Sequence, residues 1–252
     1  MSALTLGLLV AACVFAGGLL GLRLDRHLPG THLTKETQDA VRLTTTMLSV
    51  LTSLVLGLLI ATAKSDSDTL NREIRGFAAD LILLHGTLRD YGPEADAPRG
   101  ALRRYTARIV EEMWRPGSPP VVLEDTAAGT LLEEVRQGVL ALQPTGPAQS
   151  WLRDQALLVA TSLLRQRWQI IEQLGPSVRP LMLAVVVCWI AAIFVGFGLN
   201  APRNATVVVS FLVGALAIGG AIFLIMDMDG PLDGFLRIPE RPLHDALAHT
   251  RR

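Results

Sequence analysis

The stretch "LTTTMLSVLTSLVLGLLIATAKSDSDTLNREIRGFAADLILLHGTL", residues 43–88, joins two helical patterns without a proline between them. Its first part, 43–63, is uncharged and long enough to cross a hydrocarbon core of about 30 Å. Its second part places Leu70, Ile74, Phe77, Leu81, Leu84 and Leu88 at alternating steps of four and three, the seam that one helix presents to another. Only "KSDSD" at 64–68 could interrupt the helix, because serine and aspartate side chains compete for backbone hydrogen bonds. The stretch predicts a membrane span that continues, with one break at most, into a helix of a soluble bundle.

Three further runs have the span pattern: 3–22, 180–200 and 204–226, each without a charged residue. The predicted fold is therefore an all-α membrane protein with four transmembrane helices and an antiparallel helical-bundle insert between the second and third spans. Its parts are a first transmembrane pair in 1–63, the bundle at 64–179, a second pair in 180–226 and an acidic turn and tail at 227–252. "VAAC" at 10–13 mimics a lipoprotein cleavage box. No basic segment precedes it and the apolar run continues past it, so it reads as part of an uncleaved first span.

Three more stripes fill the insert: Leu102, Tyr105, Ile109 and Met113; Leu132, Val135, Val139 and Leu142; Leu157, Ala160, Leu164, Trp168 and Ile171. Breakers separate them at "YGPEADAPRG" (91–100), "RPGSPP" (115–120) and "QPTGP" (143–147). With four spans, both termini share a side with the insert. Cations near the span ends on that side are Lys64, Arg72, Arg75, Arg165, Arg167, Arg179, Arg237 and Arg241. The opposite side has Arg23, Arg26, Lys35, Arg42 and Arg203. The balance predicts cytoplasmic termini and bundle. Arginine so outnumbers lysine, present only as Lys35 and Lys64, that a GC-rich bacterial coding sequence is indicated, and with it the inner membrane.

Basic and acidic residues number 23 each, which argues against nucleic acid as a partner. Cys13 and Cys188 lie in apolar runs, with no disulfide or metal-ligand spacing. No nucleophile-base pairing, phosphate loop or zinc-protease motif occurs, so no enzymatic activity is expected. The first connection, 23–42, reads as an interfacial hairpin turned by Pro29 and Gly30 and capped by Thr34, rather than as a metal site at His32 and Glu36. Gly17 and Gly21, and Ala215 with Gly219, are spaced for close helix approach, either inside one subunit or between subunits.

The second span carries Thr45, Ser49, Thr52 and Ser53, with Arg42 and Lys64 at its two ends. Such hydroxyls can line a water-filled path or bond back to their own helix. No span holds an ionisable side chain of the kind that marks proton relays, so a coupled pump is disfavoured.

Behind the fourth span, "MDMDGPLDGF" at 226–235 sets Asp227, Asp229 and Asp233 where the helix dipole is already negative. Pairing with arginines (Arg237 and Arg241, or Arg165, Arg167 and Arg179) answers this with bidentate donors. A divalent cation is the alternative, although Pro231 and Ile238 rule out an EF-hand loop. No other cofactor is expected.

"HLPGTHLTKET" (27–37), "ATAKSDSDTLNREIRGFAADLILLHGTLRDYG" (61–92), "ALRRYTARIVEEMW" (101–114) and the tail motif, in this order and spacing, resemble the bestrophin-like membrane proteins of bacteria and plants. In the tail, Asp229, Pro231 and Gly234 match that family, while Gly230 and Leu232 stand where it has arginine and phenylalanine. The resemblance implies distant kinship with bestrophins, oligomeric anion channels with four spans, cytosolic helices and a calcium-sensing acidic clasp after the fourth span. Asp227, Asp229 and Asp233 would then be clasp-like. Bestrophins build their pore neck from bulky apolar and aromatic residues of the second span, and this second span has no aromatic residue.

The functional expectation is an oligomeric channel in the bilayer for small ions, anions in particular. The second span would line the path and the cytosolic bundle would extend or gate it. The alternative is a non-conducting scaffold or sensor whose bundle recruits cytoplasmic partners.

Overall fold

The computed structural model describes residues 2–24, 35–113, 126–174, 180–230, 234–235 and 238–250. Every regular element among them is helical: α1 Ala3–Leu24, α2 Lys35–Tyr91, α3 Asp96–Met113, α4 Thr126–Leu140, α5 Pro147–Gln173, α6 Pro180–Leu199, α7 Ala205–Asp229 and α8 Arg241–Thr250. Four of them, α1, α2, α6 and α7, are long and apolar enough to cross a membrane. The KSDSD segment does not interrupt α2, which is one helix of 57 residues. The predicted cap at Thr34 and the hairpin turn lie outside the described residues.

The chain divides into two compact units, one of residues 1–65 and 177–229, the other of 66–176 and 230–252. In the first, α1 packs against both α6 and α7. Glycines set those approaches. A Cβ on Gly7 would fall 2.8 Å from the Gly219 carbonyl oxygen, and one on Gly17 3.1 Å from that of Ala191. In lipid no hydrophobic force drives helices together, so close backbone contact through small residues does. The small-residue spacings of the first and fourth spans are thus used inside one chain. Val10, Val14, Leu59, Val186, Ala215 and Ile222 lie in the core of this unit. Asn204 caps α7, its Oδ1 accepting from the Val207 N–H at 2.9 Å.

In the second unit, Leu70, Ile74, Phe77, Leu81, Leu84 and Leu88 are all buried, as are Leu102, Tyr105 and Ile109 of α3 and Leu132, Val135 and Val139 of α4. Met113 is not among the side chains described. α3 runs back along α2: Tyr105 meets the Phe77 ring edge-on at 6.3 Å, and Arg99 lies in the electrostatic surroundings of His85. The turn between them uses Gly92 at φ 124°, a left-handed conformation that favours glycine, followed by Pro93. Arg104 donates to Glu134 at 2.8 Å between α3 and α4. Asp80 of α2 accepts from Gln166 at 2.7 Å, and Glu73 accepts from Gln173 at 2.6 Å, tying α5 to α2.

Two features differ from the sequence reading. The buried face of α5 is Ala156, Val159, Ala160, Leu163, Arg167 and Ile170. Trp168, assigned to the packing stripe, is instead 60% exposed. The tail also contains α8, whose Leu243 and Ala246 complete the core beside α3.

The second span and the acidic end of α7

Within the membrane part of α2, sequence position fixes three faces at 100° per residue. Thr45, Thr52, Leu59 and Ala63 form the buried one. Thr45 abuts α6, where a Cβ on Gly196 would stand 2.5 Å from its Oγ1. Thr52 is 5% exposed, and its Oγ1 has no hydrogen-bond partner. Leu43, Met47, Val50, Leu54 and Leu58 make a bulky apolar face that is exposed among the described residues.

Between these two runs a third line: Arg42, Thr46, Ser49, Ser53, Gly57, Ile60 and Lys64, at steps of four and three. Ser49 and Ile60 are partly or just exposed and the rest are open. Thr46 and Ser49 satisfy their hydroxyls on the carbonyls of Arg42 and Thr45, at 2.8 and 2.7 Å. That local bond leaves the oxygen lone pairs and the small side-chain volume to whatever adjoins the helix.

The six residues singled out from the sequence therefore do not share a face. Arg42, Ser49, Ser53 and Lys64 lie on the open line, while Thr45 and Thr52 turn into the protein. Thr46 and Gly57 extend the line. Their spacing was present in the sequence, but periodicity cannot say which side of an apolar helix its own chain covers. Only 17% of the apolar window of α2 is buried within the chain, against 28–39% for the other three. The second span is the one most available to other molecules.

In the same unit, α7 continues through the first part of the acidic motif, so Asp227 and Asp229 belong to its last turn. Asp227 is buried and Asp229 half-buried, and neither is without a partner. Asp233, Arg179 and Arg237 lie outside the described residues. Arg165 and Arg241 are exposed. Arg167 is buried in the second unit, close enough to α4 that a Cβ on Gly129 would meet its Nη1 at 2.9 Å, and its guanidinium lies 5.6 Å from the Trp168 ring centroid. Among the described residues no three of His, Cys, Asp or Glu cluster as a metal would require.

Four helices long and apolar enough to span a membrane, one of them 57 residues in all, together with a compact helical unit, define an all-helical membrane protein class. A family model described as the Bestrophin-like domain matches residues 12–243, and the chain belongs to that family. Its fold is similar to that of a point variant of a bacterial bestrophin homologue from Klebsiella pneumoniae. The TM-score is 0.67 at 12% identity, over 96% of this chain and 99% of that one. The fold is also similar to a second crystal structure, of a point variant of a membrane protein, at TM-score 0.62 and 12% identity, over 98% of this chain and 99% of that one. No curated protein matches the chain.

Proposed function

We propose that copies of this chain assemble in the bacterial inner membrane into a channel for small anions, with the open line of α2 facing the path. The chain's membership of the bestrophin-like family, and its fold similarity to a bacterial bestrophin homologue, support an ion-channel reading. The observation that carries the reading is the line itself: Thr46, Ser49, Ser53 and Gly57, hydroxyl-bearing or small, followed by Ile60, on the least covered helix, with one cation at each end. Arg42 and Lys64 would concentrate anions at the two mouths, and the hydroxyls would offer dipoles at low desolvation cost. One such helix per subunit encloses a path only if several copies surround an axis. The cation balance at the span ends supports cytoplasmic termini.

The test is chloride efflux from liposomes containing the purified full-length chain. Efflux is expected from the natural sequence and should be reduced or turned toward cations by Arg42→Glu with Lys64→Glu. Absence of flux at every salt concentration and membrane potential rejects the reading.

For the acidic end of α7 the reading is arginine pairing. Burial of Asp227 together with an existing partner supports it, since a buried carboxylate is retained only when paired. Addition of calcium or of a chelator is then without effect on efflux. A calcium-dependent change would assign the motif to a divalent cation instead.

A scaffold reading has one observation in its favour. Trp151 and Leu158 of α5 are 66% and 68% exposed, an apolar surface unusual outside an interface. It predicts assembly without ion flux.

A further inference from the structure

In the second unit, α2 and α3 carry a basic cluster that the channel reading does not use. His85 and Arg89 stand one turn apart on α2, Arg99 and Arg103 one turn apart on α3. In the antiparallel register of the Phe77–Tyr105 contact, Arg99 falls opposite position 83 and Arg103 opposite position 79, within a long side chain's reach of His85; Arg99, Arg103 and Arg89 all act on its charge. His85 is 5% exposed, and its Nε2 is fully buried with no hydrogen-bond partner. The Nε atoms of Arg99 and Arg103 are buried and unpartnered as well.

Nearby acids do not answer this. Asp90 takes Arg89 at 2.9 Å and Asp96 takes Arg99 at 3.0 Å. Asp80 is occupied by Ser162 and Gln166. Among the described residues no carboxylate pairs with Arg103. Buried polar nitrogens rarely go unsatisfied, and an acceptor within reach of the two arginine Nε atoms and of His85 Nε2, in the tautomer that carries its proton there, would satisfy all three.

We propose that His85, Arg99 and Arg103 form a binding site for a tetrahedral oxyanion of the sulfate or phosphate type. Guanidinium groups present planar pairs of donors whose spacing matches two oxygens of such an ion, and the imidazole Nε2 supplies a third direction. A halide, a single spherical acceptor, makes poorer use of forked donors. Burial first, then Arg99, Arg103 and Arg89 in that order, hold the imidazole below its ordinary pKa. A bound dianion would offset two of those three charges. The site stands whether or not the span conducts, because its measurement involves no flux.

The experiment is isothermal titration of the full-length chain in lipid nanodiscs with sodium sulfate, in parallel with sodium chloride at equal ionic strength. Saturable sulfate binding at one per chain is expected, with at least tenfold weaker affinity in Arg103→Gln and in His85→Gln. Arg103→Lys should keep affinity within a few fold. Arg136→Gln should not change it, since Arg136 is held by Glu133 with Nε donating at 2.9 Å. Circular dichroism and elution volume establish that each variant is folded. A third arm, inorganic phosphate against a nucleoside triphosphate, separates a free ion from a phosphate-bearing metabolite as its source. No saturable sulfate heat, chloride binding as tightly as sulfate, or unchanged affinity in folded Arg103→Gln overturns the proposal.

Discussion

Gly21 of α1 and Gly198 of α6 meet with no room for a side chain on either. A Cβ on Gly21 would lie 2.9 Å from the Gly198 Cα, and one on Gly198 would lie 2.8 Å from the Leu22 nitrogen. Backbone cannot swing aside as a side-chain end can, so the helices must separate. Gly21→Ala and Gly198→Ala should each lower the thermal stability of the detergent-solubilised protein, by about 1–3 kcal/mol for overpacking. Gly220→Ala, at a position with nothing within 4 Å, serves as the control and should leave the melting temperature unchanged or slightly higher.

The second unit rests on the α2 seam. Leu84 is fully buried, so Leu84→Ala should destabilise by about 2–5 kcal/mol through lost contacts and the cavity left behind. Trp168→Ala should cost far less despite removing a larger side chain, since Trp168 is mostly exposed. Chemical denaturation followed by circular dichroism compares them, and an equal loss would show that Trp168 packs as the sequence stripe suggested.

His85 gives the pH dependence a sign. Its pKa lies below the ordinary 6.5, through burial and then the Arg99, Arg103 and Arg89 charges. As pH falls below about 6.5 the unfolded imidazole takes up a proton that the folded one resists, so stability declines toward acid until the folded pKa is passed. His85→Gln removes this contribution. Melting temperatures from pH 7.5 to 5 should fall more steeply for the natural sequence than for the variant, and parallel curves would contradict the lowered pKa.

Much of this architecture could be read from residue spacing. The Leu70–Leu88 seam needs a helix of period 3.6 to hide it, and the four uncharged runs have the length of a bilayer core. Gly17, Gly21 and Gly219 announced close approach, though not the helices approached. What spacing could not supply was orientation inside an apolar environment. Thr45 and Thr52 turn inward while Ser53 turns outward, and hydrophobicity carries no signal there because lipid and protein interior are equally apolar. Trp168 misled for a related reason: an aromatic at the right step resembles core, yet the buried face of α5 lies one position away and admits Arg167. The short helix α8 was legible in retrospect as Pro242, Leu243, Ala246 and Leu247, but ten residues give too little pattern to stand out from a tail.

The central claim is that the open line of α2 borders water. On a background with Cys13 and Cys188 replaced by alanine, single cysteines at Thr46, Ser53, Gly57, Leu54 and Leu58 can be exposed to a charged, water-soluble thiol reagent in liposomes. Modification at the first three and none at Leu54 or Leu58 is the predicted result. Protection of all five, or equal reaction on the Leu54 and Leu58 side, would contradict the account.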